Sequence, residues 1–93
     1  MSAAATNLVS ELTQRGETLS FCESLTAGLA SATVASVPGA SAVLRGGLIT
    51  YATEGKSHFL RQPVADIEAA GVVSGDTALA MARAAVAETD ADW

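Results

Sequence analysis

Lysine occurs once in this chain of 93 residues, at Lys56, against ten carboxylates and four arginines. Cysteine and histidine also occur once each, at Cys22 and His58, so no internal disulfide can form and no Cys/His cluster offers a zinc site. Four aromatics (Phe21, Tyr51, Phe59, Trp93) leave a core to be built from alanine, valine and leucine. No apolar run approaches the roughly 18 residues that a membrane span requires, and the N-terminus lacks the basic and apolar regions of a signal peptide. A net charge of -5 with scattered bases argues against a nucleic-acid surface, which needs clustered lysine and arginine. These exclusions leave one small cytoplasmic domain, with no nucleic acid and no membrane among its partners.

What is present has an α/β order. Ala5, Leu8, Val9 and Leu12 recur at helical spacing within 3–15, and Gly16 stands where a C-terminal cap is expected. Thr18 to Cys22 reads as a short internal strand. It runs into Glu23-Ser24-Leu25-Thr26, and a helix is predicted from Ala27 to Val37, opened by the hydroxyls of Ser24 and Thr26 and closed by Pro38-Gly39. Cys22 is expected as a small buried strand residue. In an open α/β sheet such a strand-to-helix turn lies where ligands bind, and the helix N-terminus offers unpaired N–H groups to an anion.

After Ala42-Val43-Leu44 comes Gly46-Gly47, a pair that suggests close backbone approach or a bulge, then the apolar strand Leu48 to Tyr51. Thr53 is a plausible N-cap for a short helix over Glu54–Leu60 that carries Lys56 in its first turn, where a cation is normally unfavourable. Asp66–Ala70 makes a helical turn ended by Gly71, and Ser74 is expected to cap a last helix over about 75–88. Two strands are fewer than an independently stable sheet usually needs, so further strands come from a partner chain or from additional sequence.

Several groups bear chemistry. Ser24 and Thr26 lie on the first turn, Ser41 on the second, and Tyr51 and Lys56 follow the second strand. A serine hydroxyl becomes a nucleophile when a neighbouring base takes its proton, and a neutral lysine or a Tyr–Lys pair does this without histidine. There is no Gly-x-Ser-x-Gly elbow, no Gly-x-x-x-x-Gly-Lys loop and no Gly-x-Gly-x-x-Gly. Glu23 is open among three tasks: a cap partner, a surface acid, or a group that orients a hydroxyl.

Taken in order, Glu23-Ser24-Leu25-Thr26-Ala27-Gly28, Val37-Pro38-Gly39-Ala40-Ser41-Ala42-Val43, Arg45-Gly46-Gly47 with Tyr51 and Lys56, and Gly71-Val72-Val73-Ser74 resemble the C-terminal domain of the competence/damage-inducible protein CinA, a family that includes stand-alone nicotinamide-nucleotide amidases. The resemblance implies a three-layer α/β/α sandwich, here as a single domain over 1–93 that is incomplete at its C-terminus after the third major helix. It implies hydrolysis of nicotinamide mononucleotide to nicotinate mononucleotide and ammonia, a homo-oligomer, and no metal or other cofactor. Carried over residue by residue, the family's polar positions fall on Ser24, Thr26, Ser41, Tyr51 and Lys56, with Gly46 and Gly47 shaping the wall. Lys56 is then the base and Tyr51 a relay. Ser24 is the nucleophile with Ser41 its close rival, and Thr26 with its helix N-terminus would hold the substrate phosphate or carboxamide oxygen. The alternative is a catalytically silent module that binds a nucleotide or a protein partner through an exposed sheet edge.

Overall fold

The structure, a computed structural model, describes residues 2–93. Helix α1 (Ala3–Arg15) starts at Ser2, whose hydroxyl accepts from Ala5 N at 3.1 Å, and stops at Gly16, which takes the left-handed conformation (φ 66°) that spares a Cβ penalty. Strand β1 (Leu19–Glu23) and strand β2 (Leu44–Ile49) pair in parallel, joined by helix α2 (Leu29–Ala35) and a single 3-10 turn at Ala40–Ala42. Helices α3 (Thr53–Leu60), α4 (Val64–Ala70) and α5 (Gly75–Thr89) complete the chain.

Three layers result. The apolar stripe of α1 (Ala5, Val9, Leu12) meets Val34, Val37, Ala40 and Val43, and Leu19, Phe21 and Leu44 pack against this cluster from the sheet. Removing this surface from water stabilises by about 25 cal/mol per Å² of apolar area. The opposite face is covered by α5, which touches both strands and buries Ala84 and Ala85, while α3 and α4 lie against its flank around Ile67. The expected α/β/α sandwich is thus observed. Among the described residues no helix is long and apolar enough to cross a membrane.

Alternation along the strands decides which side each residue serves. The Glu23 carboxylate points to α2, as would a Cβ on Gly47, which would meet Ser31. A Cβ on Gly46 would instead meet Thr89 of α5. The ladder slips by one residue between Leu19↔Leu44 and Ser20↔Gly46, which leaves Arg45 as the extra residue.

Several expected boundaries move. Strand β2 begins at Leu44 rather than Leu48 and ends at Ile49, so the glycine pair lies inside it. Both expectations for that pair hold together, since the helices approach closely and the bulge falls beside it. Helix α2 begins at Leu29 because Ala27 and Gly28 are left-handed (φ 52° and 104°) and cannot extend a right-handed helix. Thr53 is helical, and Ala52 occupies the cap position with no side-chain bond. Ser74 caps α5 as expected, accepting from Thr77 N at 3.1 Å. Cys22 is half-buried.

The chain's end returns to the sheet. After Asp90 reverses the backbone (φ 58°), Asp92 accepts from Thr18 N at 2.7 Å. Trp93 N donates to Thr18 O at 3.0 Å and Trp93 O accepts from Ser20 N at 2.7 Å. That is one rung of a parallel ladder on the outer edge of β1. Beside it a groove of about 590 Å³ runs along Ser20 and Cys22, floored by Met81, Ala82 and Val86 of α5.

Candidate active site

The strands end side by side, and the first residues beyond them, Ser24 and Thr50, face the helix that folds back over the sheet's carboxyl end. Lys56, in the first turn of α3, is 3% exposed. Its Nζ donates to Thr50 O at 2.7 Å, contacts Ser24 Oγ at 2.9 Å and reaches Tyr51 O at 3.5 Å. Among the described residues none of the ion pairs includes it; these join Arg15 to Glu11 and Glu17, and Arg61 to Glu88. The amine is held by neutral oxygens alone.

This arrangement constrains protons. A carbonyl can only accept, so Thr50 O and Tyr51 O each claim one hydrogen of Nζ. The remaining position faces Ser24 Oγ, which can accept or donate. A charged Lys56 donates there, and a neutral one aims its lone pair at the serine proton. Thr50 is fully buried and its hydroxyl lies 3.6 Å from Cys22 Sγ, so the carbonyl that anchors Nζ is itself fixed.

The other residues singled out from sequence fall in different places. Tyr51 is 65% exposed and offers its carbonyl to Lys56, while its hydroxyl bonds to no described residue. Ser41 stands exposed in the 3-10 turn ahead of β2, and six strand residues at about 3.3 Å each put it roughly 20 Å from the carboxyl end. Within one chain Ser41 is therefore not brought to Lys56. Gly46 and Gly47 lie mid-strand beneath α5 and α2 and line no wall at Lys56. Thr26 donates its hydroxyl to Glu23 Oε1 at 2.7 Å.

Glu23 is the group that sequence left undecided. It is 4% exposed, and its carboxylate accepts from Ala30 N (2.9 Å), Ser31 N (2.9 Å), Ser31 Oγ (2.6 Å) and Thr26 Oγ1 (2.7 Å). Burial by itself raises its pKa. The bonds from Ser31 Oγ, Thr26 Oγ1 and the two backbone amides outweigh that and bring it from 4.5 to about 2. The N–H groups at the start of α2, which the sequence offers to a substrate anion, are thus already filled by a fixed negative charge. An acid at the last place of a largely apolar strand is the signal that points to this task.

A parallel α/β domain with a buried, unpaired lysine on a serine at the carboxyl end of its strands is the class these features define. The family model for the CinA C-terminal domain matches residues 1–93. The chain belongs to that family. A competence-damage inducible protein of Streptococcus pneumoniae (strain ATCC 700669 / Spain 23F-1) is 46% identical over 89 residues, covering 96% of this chain and 21% of the relative. Among solved structures, the competence/damage inducible protein CihA of Agrobacterium tumefaciens superposes with a TM-score of 0.88 at 32% identity, over 95% of this chain and 53% of that one. A CinA superfamily protein of Escherichia coli gives 0.81 at 26%, over 99% and 57%. The chain spans about half the length of these solved proteins and about a fifth of the curated relative.

Proposed function

We propose that this domain is the serine–lysine half of an amidohydrolase that deamidates nicotinamide mononucleotide, with Ser24 as nucleophile and Lys56 as general base. The observation that carries it is the 2.9 Å contact between Lys56 Nζ and Ser24 Oγ, with the other amine hydrogens directed to backbone carbonyls. Membership of a family with amidase members is compatible with that chemistry, and the nucleotide substrate comes from the resemblance alone.

The steps follow from the groups in hand. Neutral Lys56 takes the Ser24 proton as Oγ attacks the carboxamide carbon, and the resulting oxyanion needs N–H donors. The amides of Leu25 and Thr26, directly after the serine, have no acceptor among the described residues and are suited to supply them. As the C–N bond breaks, the Lys56 ammonium returns its proton to the leaving nitrogen and ammonia departs. Lys56 then deprotonates a water that attacks the Ser24 ester, the carboxylate leaves and the serine is reprotonated. The substrate phosphate is held elsewhere than at α2, because Glu23 would repel it.

The test is release of ammonia from nicotinamide mononucleotide, with Lys56→Met and Ser24→Ala each abolishing it while circular dichroism stays native. Full activity in either variant refutes the assignment. The open edge of β1 favours a second reading, a module that accepts an extended strand beside Trp93 and binds without turnover. Binding of an extended peptide at that edge, with no ammonia release from the nucleotide, supports that one.

A further inference from the structure

Glu23 is buried, charged and without a cation, and the chemistry above makes no use of it. Most helices are capped by a serine, threonine or aspartate at the surface, without burying a charge. A buried carboxylate costs several kcal/mol in desolvation unless its acceptor sites are filled; here four donors fill them, so the charge is held firmly and ties the end of β1 to the seven-residue helix α2.

The Glu23 backbone shows what that tie holds in place. Glu23 O accepts from Thr50 N at 2.8 Å, the last rung between the two strands. Two of the three residues that receive Lys56 Nζ, those at the shortest distances, adjoin this rung: Ser24 follows Glu23 directly, and Thr50 is the donor across from it. Fixing the Glu23 side chain in the first turn of α2 therefore fixes the point from which the turn carrying Ser24 departs, because Ser24 is its direct neighbour in the chain. The turn beyond needs such an anchor. Ala27, a residue with a Cβ, holds φ 52° there at a cost of about 1–2 kcal/mol.

We propose that Glu23 is the positioning residue of the Ser24–Lys56 pair: its four-bonded carboxylate locks the strand-to-helix turn so that Ser24 Oγ stays on Lys56 Nζ. The catalytic consequence rests on Ser24 being the nucleophile; the positional one does not.

The chain's single lysine makes the test direct, since lysine-selective 13C and 15N labelling yields one side-chain signal. In the parent protein Ser24→Ala shifts the Lys56 signal. Glu23→Gln shifts it as far, and adding Ser24→Ala to Glu23→Gln moves it no further. Ser31→Ala and Thr26→Val, each removing one donor from a carboxylate that keeps its charge, give intermediate shifts, and they carry the comparison if Glu23→Gln does not fold. Ammonia release should fall about tenfold or more in kcat for Glu23→Gln, with KM within about twofold. If Ser24→Ala shifts the Lys56 signal equally with and without intact Glu23 bonding, the positioning role is overturned. If the parent releases no ammonia, the proposed reaction fails while the lysine signal still decides the role of Glu23.

Discussion

Replacing Gly47 by alanine tests the architecture around Glu23 most directly. The added Cβ would lie 2.7 Å from Ser31 Oγ and 3.6 Å from Phe21 O, and real contacts of a Cβ are essentially never shorter than 3.0 Å. A serine hydroxyl can swing aside, so steric strain alone would be small. Swinging aside, however, removes Ser31 Oγ from Glu23 Oε2, a 2.6 Å bond to a charged acceptor. Such a bond is worth about 1.5–3 kcal/mol, a large fraction of a small domain's stability. Gly46→Ala, which meets only the Thr89 methyl at 3.3 Å, should cost less. Urea denaturation measures both. Removing the hydroxyl in advance should make the costs non-additive, with Gly47→Ala losing at least about 1 kcal/mol less in a Ser31→Ala background. Equal costs in the two backgrounds, or Gly47→Ala milder than Gly46→Ala, would refute the reasoning.

Glu23 also sets an acid limit. Its folded pKa lies below the unfolded value, so the stability it contributes is fully present above pH 4.5 and is lost as pH falls toward about 2. The gap in urea midpoint between the parent and Glu23→Gln should therefore narrow over that interval. Gly55→Ala should stabilise by up to about 1 kcal/mol, because Gly55 is helical and its added Cβ meets Thr50 only at 3.7 Å and beyond. An unchanged or lower thermal midpoint would show that the site needs glycine there. Deleting Asp92 and Trp93 should speed hydrogen exchange at the Ser20 amide, whose partner is Trp93 O, and leave the Thr50 amide as slow as before.

Periodicity and turn residues made the element order, the Gly16 and Ser74 boundaries and the weight on Lys56 readable in sequence, since each depends on neighbours within a turn or two. What stayed hidden depends on distant residues. Glu23 gained its task from Ala30 and Ser31 across a left-handed turn, and that turn moved the start of α2. The glycine pair reads in sequence as a close approach or a bulge, as observed, but is placed ahead of the strand instead of inside it, because what it accommodates, Ser31 and Thr89, is far away in the chain. Ser41 groups with Lys56 in sequence as a turn hydroxyl and through the family resemblance, yet it precedes β2 whereas Lys56 follows it, so the length of the strand separates them. Tyr51 joined the site through its carbonyl, a contribution that no side-chain pattern reveals.

A last consequence follows from the burial of the only lysine. Folded, the protein presents no exposed ε-amine, so an acylating reagent modifies Lys56 only through openings of α3. The rate at which that amine is labelled is thus a clock for how often the site comes apart.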